Sequence, residues 1–322
     1  MRHPIIIIDS LNLFTRHFVV NPTMSRQGQQ IGGFVGYLKG LKLLTEKMLP
    51  KRVVVVWEGG GSPRRRAIFP EYKQGSRPQK LNRYYDDGEI PDTYENRDFQ
   101  IKMTIEALKH VPVQQVYVSD CEADDVIGYM CRHLFVGDQI VVVSSDKDLY
   151  QLIDDRVSQW SPGQKKFITP QEVHDKFGVW PTNMCVARSF VGDPSDAIPG
   201  VDGAGFKTLL KRFPFLGGSE SRMIQDVLDD ALHIPPPHPK LIRNILECGD
   251  IVRRNWKLMH LDIANLSGDQ IKKINDSVTS YSPKRNKMEL MRLFVRQGIQ
   301  DFDVDSFFMS LSAPISEAIN GR

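Results

Sequence analysis

Four short runs of β-branched residues, separated by helical patterns, limit the folds that are open to this chain. Polar or turn residues bound each run: PIIII (4–8), RVVVVW (52–57), VQQVYV (113–118) and IVVVSS (140–145). Such runs are typical of parallel strands that are buried on both faces. Between them, apolar residues recur at helical spacing over 31–44, 98–110 and 122–135. The alternation predicts an α/β fold with a central parallel sheet flanked by helices.

The second half of the chain has a different pattern. Beyond about residue 168 the strand patterns fade and helical patterns follow one another. We therefore predict two parts in the 322 residues, an α/β core over 1–168 and, over 169–322, a mostly α-helical subdomain with a C-terminal extension. Within the core, 74–96 has two prolines and no apolar periodicity, which indicates a functional flap or a disordered segment.

Composition and cysteine spacing exclude several classes of protein. With 41% hydrophobic and 25% charged residues the chain has the composition of a globular protein. No apolar run approaches the ~20 residues that a membrane span requires. The four cysteines form no CxxC pair and have no histidine at metal-binding spacing. We expect a reduced chain in the cytoplasm, or in the host cytoplasm if the protein is viral.

Acidic residues recur directly after the predicted strands. Parallel strands end at the same edge of a sheet, where α/β proteins bind their ligands. Side chains that follow different strands should therefore meet, although they are far apart in the sequence. A further acidic pair lies in a turn between two helical patterns of the second half. The nine acids are Asp9, Glu58, Glu122, Asp124, Asp125, Asp146, Asp148, Asp193 and Asp196.

Taken singly, each of these acids has an ordinary explanation. A carboxylate in the first turn of a helix gains roughly 0.3–1 kcal/mol from the helix dipole, and Asp is a common turn residue. Nine carboxylates brought together would repel one another unless cations neutralise them. Oxygen ligands without Cys or His favour the hard cation Mg²⁺, with Mn²⁺ as a substitute. The pattern predicts a site for two divalent ions.

A basic segment lies between Gly61 and Tyr85. It has seven cations against one anion, and tyrosines stand at 72, 84 and 85. A solvated surface explains such a run, but cations interleaved with aromatic rings also suit a nucleic-acid backbone with bases that stack. Removing the nine acids from the total of 39 would leave 30 acids against 42 basic residues. An acidic pit in a basic body predicts a nuclease.

These motifs resemble those of the structure-specific 5′-nucleases, or flap endonucleases, which include phage-type ribonuclease H and the 5′-nuclease domain of bacterial DNA polymerase I. The resemblance runs from about Ile5 to Thr208. IIIIDSLNLFTR is similar to the first motif, with Arg16 at its basic position, and VVVVWEGG to the second, with Glu58 in place of the usual Asp. CEADDVIG and VVVSSDKDLYQLI resemble the third and fourth motifs. VGDPSDAIPGVDGAGFKT resembles a helix–three-turn–helix motif.

The resemblance implies a fold, a chemistry and a set of residues. The fold is a PIN-like core with a flexible helical arch at about 74–96 and a SAM-like subdomain, whose helix–three-turn–helix spans about 181–213. The activity is metal-dependent hydrolysis that removes RNA primers or 5′ flaps during replication, as a 5′-3′ exonuclease and flap endonuclease with ribonuclease H activity. Lys73 and Arg77, in PEYK-x-x-R, would contact the scissile phosphate. The nucleic-acid contacts, which combine the family motifs with the basic segment, are Arg16, Arg64, Arg65, Arg66, Tyr72, Lys80, Arg83, Gly200, Gly203, Gly205, Lys207 and Thr208.

The nine acids divide between two ions in this interpretation. Asp125 lies between the two sets. One ion takes Asp9, Glu58, Glu122 and Asp124, and the other takes Asp146, Asp148, Asp193 and Asp196.

Two other functions remain open from the residues alone. One is a non-catalytic nucleic-acid-binding relative, and the other is a PIN-type ribonuclease that acts on single-stranded RNA. The expected partners are DNA and RNA·DNA duplexes with 5′ ends or flaps, bound by a monomer. A sliding clamp or single-strand-binding protein is a further candidate, because DFDVDSFFMSL (301–311) has the spacing of a clamp-binding peptide. An amphipathic helix explains the same segment.

Overall fold

The computed structural model describes residues 3–74, 82 and 93–320, without the side chains of Thr93 and 313–320. Most of the predicted arch at 74–96 lies outside these residues. Arg77, Lys80 and Arg83 lie outside them as well, so their predicted roles stay predictions.

A single sheet of six strands forms the centre of the described part, in the order β3-β2-β1-β4-β5-β6. The first five strands are parallel, and β6 is antiparallel to β5. The predicted α/β fold is confirmed, although the sequence patterns did not reveal the last two strands. The strands are β1 Ile5–Asp9, β2 Arg52–Trp57, β3 Gln114–Tyr117, β4 Ile140–Val143, β5 Val157–Ser161 and β6 Lys166–Ile168.

Helices make up most of the remaining described chain. They are α1 Ser10–Val20, α2 Gly32–Met48, α3 Pro63–Ile68, α4 Thr93–Leu108, α5 Ala123–Tyr129, α6 Pro170–Phe177, α7 Pro181–Val191, α8 Phe206–Arg212, α9 Ile224–Leu232, α10 Lys240–Glu247, α11 Gly249–Met259, α12 Gly268–Thr279, α13 Lys287–Arg296 and α14 Val304–Asn320. None of the described helices is long and apolar enough to cross a bilayer.

Both faces of β1 are covered, which explains its uninterrupted apolar run. Ile6 and Ile8 point into a core with α1, α2 and α4, whereas Ile5 and Ile7 point into a core with α5. The strand order reverses beside β1, since β2 and β4 pair with its two edges. A crevice at the carboxyl end of the strands is expected at such a reversal.

The helices of the second half pack in more than one core. One of these cores runs through α7 to α11 and includes Phe190, Phe213 and Ile245. The chain then returns to the sheet, where α12 packs on one face and α13 and α14 pack on the other. The helices after Met259 therefore pack on the sheet and not in the core of α7 to α11, and the predicted division at 168/169 stays a prediction. The helical periodicity of the sequence predicts these helices but does not indicate the core in which each one packs.

The segment 301–311 belongs to this returning part. Phe307 is fully buried, and it packs with Phe302 and Phe294 in the core on α2. Since the aromatic residue that a clamp peptide would expose lies in the core, the amphipathic-helix interpretation fits the structure.

Candidate active site

Asp9 stands at the reversal point of the sheet. It ends β1 and caps α1, with one carboxylate oxygen accepting from the Asn12 amide at 3.1 Å. The other oxygen accepts from the Ser144 hydroxyl, just after β4, at 2.9 Å. Burial raises the pKa of Asp9 to about 6, and the charges of Asp146 and Glu58 add to the increase. The fold therefore holds this carboxylate where its charge is unfavourable without a cation.

Glu58 joins the end of β2 to the start of α5. Its two oxygens accept from the amides of Gly61 at 3.2 Å and Ala123 at 3.3 Å. Burial is the main cause that raises the pKa of Glu58. The pKa of Asp124 is also raised well above its usual value, first by burial and then by the charge of Asp146.

These acids line one cavity of about 560 Å³ at the carboxyl end of the sheet. We call it the acid cavity. Its charged lining residues are Asp9, Arg16, Glu58, Lys73, Glu122, Asp124 and Asp146.

A second set of acids, the aspartate cluster, consists of Asp148, Asp193 and Asp196. One carboxylate oxygen from each lies within 4.8 Å of the others. Burial raises the pKa of Asp148 to about 7, against the opposing charge of Arg188. The Asp148 amide donates to the Asp146 carboxylate at 2.9 Å, which links the cluster to the acid cavity. Converging carboxylate oxygens, with the pKa of Asp148 raised by burial, fit a site for a hard divalent cation.

Arg188 is a site residue that the sequence analysis missed. It lies on α7 and its guanidinium bridges two members of the cluster, Asp148 and Asp193. Burial opposes its charge, but the two carboxylates outweigh burial and raise its pKa. The available signal was a lone cation in PTNMCVARSFV, five residues before Asp193.

Lys73 connects the two sets of acids. Its ammonium lies 2.9 Å from a Glu122 oxygen and 3.9 Å from an Asp196 oxygen. Its backbone is left-handed, with φ of 56°, and its amide donates to the Asp196 carbonyl at 2.9 Å. The preceding Tyr72 is buried and its hydroxyl donates to Glu122 at 3.0 Å. Tyr72 thus supports Glu122, and its predicted contact with nucleic acid stays a prediction.

Arg65 and Asp125 form a buried ion pair. Both guanidinium end nitrogens of Arg65 donate to Asp125 at 2.6 Å, and its Nε donates to the Leu258 carbonyl at 2.7 Å. Asp125 also accepts from the Glu122 amide at 3.3 Å. Arg65 is only 3% exposed, so the pair lies in the interior, and the predicted roles of Arg65 toward nucleic acid and of Asp125 toward a metal stay predictions.

The other predicted contacts within the described residues remain accessible. Arg64 and Arg66 are exposed on α3, and Arg16 donates to the Gly163 carbonyl at 3.4 Å beside the acid cavity. The glycine turn before α8 lines a separate cleft of about 850 Å³. Its predicted residues are Gly200, Gly203, Gly205, Lys207 and Thr208.

A parallel sheet with carboxylates at its reversal point, joined to a helical unit that adds two more acids, defines the class of α/β metal-dependent nucleases. Residues 4–178 match the family model described as the 5′-3′ exonuclease, N-terminal resolvase-like domain. This match spans more than half of the chain, and the chain belongs to the 5′-3′ exonuclease family. The resemblance stated from the motifs is confirmed.

Individual relatives agree with this membership. A 5′-3′ exonuclease of Buchnera aphidicola subsp. Schizaphis graminum is 30% identical over 218 residues, which cover 66% of this chain and 71% of the relative. The flap endonuclease Xni of Shewanella piezotolerans is 29% identical over 225 residues, which cover 68% and 81%.

Solved structures share the fold. A bacteriophage T5 flap endonuclease, in a pseudo-enzyme-product complex with DNA and metal ions, has a TM-score of 0.69 at 22% identity. The match covers 85% of this chain and 98% of the phage chain. The catalytic core of Rad2 in complex with a DNA substrate has a TM-score of 0.53 at 12% identity, covering 98% and 92%.

Proposed function

We propose that this chain is a divalent-metal-dependent 5′-nuclease that hydrolyses phosphodiester bonds at the 5′ ends of RNA primers or flaps on duplex DNA. One observation carries the proposal: two sets of buried or partly buried carboxylates meet at the carboxyl edge of the sheet, with Lys73 between them. The names of the relatives support both exonuclease and flap endonuclease action.

The acids would hold two Mg²⁺ ions, for which Mn²⁺ would substitute. One ion belongs to Asp9, Glu58, Glu122 and Asp124, and the other to Asp146, Asp148, Asp193 and Asp196. When bound, the ions supply a water of lowered pKa and neutralise the attacking and leaving oxygens. The convergence of oxygen ligands and the raised pKa values of Asp9 and Asp148 support this assignment.

The remaining residues would bind and orient the substrate. Lys73 is placed to exchange its contact with Glu122 for the scissile phosphate, where negative charge grows as the bond breaks. Tyr72 keeps Glu122 in position during that exchange. The exposed Arg64 and Arg66 would bind the phosphate backbone, and the glycine turn before α8 would contact duplex. Arg77, Lys80 and Arg83 would add contacts from the arch.

Several finer assignments are part of the same proposal. The enzyme acts as a monomer in the cytoplasm, on DNA and RNA·DNA duplexes. A sliding clamp or single-strand-binding protein would be a replication partner through a surface other than 301–311, because Phe307 is in the core.

Product mapping tests the activity. Duplexes with a 5′-labelled flap, a nick or an RNA primer should be cleaved with Mg²⁺ and left intact in EDTA, while binding survives chelation. Asp124→Asn should lose turnover far more than affinity. Binding without cleavage on every substrate would identify a non-catalytic relative, and cleavage of single-stranded RNA alone would identify a PIN-type ribonuclease.

A further inference from the structure

The aspartate cluster already holds a cation of the protein's own. The guanidinium of Arg188 contacts Asp148 with one nitrogen and Asp193 with another. The three side chains are largely buried, with 11% of the Arg188 side chain exposed, 19% of Asp148 and 12% of Asp193. One positive charge of the protein is therefore shared by two of the three carboxylates.

The same contact joins two parts of the molecule. Asp148 lies in the α/β core just after β4, whereas Arg188 and Asp193 lie in the helical unit. Without Arg188, buried like charges from the two parts would face each other at close range. Asp196 would not relieve them, since it adds a third carboxylate whose nearest described cation is Lys73, at 3.9 Å.

We propose that Arg188 is a built-in counter-ion of the aspartate cluster, which keeps the cluster assembled in the metal-free protein and lowers the affinity of the divalent ion that binds there. The inference rests on the proposed metal site. It follows from competition, because the ion and the guanidinium need the same two carboxylates. Their positive charges also repel each other in a poorly solvated place.

Binding of Mn²⁺ without nucleic acid tests the competition, with calorimetry and electron paramagnetic resonance as readouts. Arg188→Gln should bind one Mn²⁺ about tenfold or more tightly than the wild type and leave the other ion unchanged. Arg188→Lys keeps the charge but cannot bridge two carboxylates. Its affinity for Mn²⁺ should therefore lie between those of the wild type and Arg188→Gln. In an Asp148→Asn background the gain from Arg188→Gln should shrink, as a double-mutant cycle measures.

Arg132→Gln is the matched control, because Arg132 is another partly buried arginine whose acidic partner, Asp262 at 3.5 Å, belongs to neither set of acids. Its Mn²⁺ affinities should equal those of the wild type. Equal or weaker binding by Arg188→Gln would overturn the inference and leave the nuclease proposal standing. A wild type with no saturable Mn²⁺ site would instead contradict the metal centre of the proposed function.

Thermal unfolding separates this role from ordinary packing. In EDTA, Arg188→Gln should unfold at a lower temperature than the wild type, because its carboxylates lack a counter-ion. Saturating Mn²⁺ should then raise its Tm by more than it raises that of the wild type. A loss that Mn²⁺ does not restore would show that Arg188 only packs. If Arg188→Gln does not fold, Arg188→Lys gives the same comparison with a smaller difference.

Discussion

At the scale of single residues, Lys73 and Arg65 show that two cations of one basic run have unlike surroundings. Lys73 faces both sets of acids and keeps 40% of its side chain exposed, whereas Arg65 is enclosed by Asp125 and the Leu258 carbonyl. The sequence indicated that the run is basic. It could not indicate this division, because Arg65 and Asp125 are 60 positions apart and only the folded chain brings them together.

Lys73→Ala should separate catalysis from binding. A group that meets charge mainly in the transition state affects the rate more than the affinity, and losing one such donor lowers the rate by about 100-fold or more. We expect this loss in single-turnover cleavage of a flap, with Kd changed by less than about fivefold. Arg64→Ala is the control and should change mainly Kd and its salt dependence. Equal effects on Kd in the two variants, with an intact rate for Lys73→Ala, would refute the catalytic role.

Arg65→Met should destabilise the protein by about 3–5 kcal/mol, because it leaves the buried charge of Asp125 without its partner. Urea unfolding measures the change. The exposed Arg66→Met is the control and should change the free energy of unfolding by less than about 0.5 kcal/mol. Adding Asp125→Leu to Arg65→Met should recover part of the loss. No recovery would mean that shape at the start of α5 matters more than charge.

At the scale of elements, the four strands with Ile and Val runs could be predicted, and β5 could not. VSQWS has polar residues at buried positions, and Gln159 shows why. Its side-chain amide donates to the carbonyls of Ser144 at 2.9 Å and Asp146 at 2.7 Å, and so holds the loop that carries site acids. The acids themselves were predictable because they follow strand ends. Arg188 and Gln159 could not be predicted, because their contacts with the site loops leave no periodic pattern in the sequence.

The packing of α13 gives a prediction with neighbouring residues as probe and control. Phe294 is 2% exposed and its ring lies 5.4 Å from that of Phe34 on α2, whereas Val295 is 78% exposed. Phe294→Ala should lower the free energy of unfolding by about 3–5 kcal/mol. Val295→Ala should change it by less than about 0.5 kcal/mol. If chemical denaturation shows that both variants change the free energy of unfolding by similarly small amounts, α13 does not pack on the helical layer beside the sheet.

At the scale of the whole molecule, the buried acids make stability depend on pH and metal together. The folded pKa values of Asp9 and Asp148 are raised from 3.8 to about 6 and about 7. The folded protein therefore keeps protons that the unfolded chain releases. Stability from these groups is complete below about pH 4 and is lost as the pH rises through 6 to 7. A divalent ion replaces the protons, so its stabilising effect should grow over the same range.

Melting curves across this range test the linkage. In EDTA, Tm should fall between about pH 4 and pH 7, and saturating Mg²⁺ should reduce the fall. Asp124→Asn removes one buried carboxylate and should raise Tm in EDTA near pH 8. A metal-free Tm that climbs steadily through this range, with no gain from Asp124→Asn, would contradict the electrostatic interpretation.

The return of α12 to α14 to the sheet also decides when the protein can fold during its synthesis. The core that contains Phe34 is completed by Phe307 and Leu311, which leave the ribosome long after Phe34 does. Until then the nascent core exposes apolar surface across several helices, a state in which chains tend to associate. A fragment of residues 1–178 should therefore aggregate or bind chaperones where the full chain is monodisperse. Recovery of that fragment as a folded monomer by gel filtration and circular dichroism would show that the core completes itself earlier.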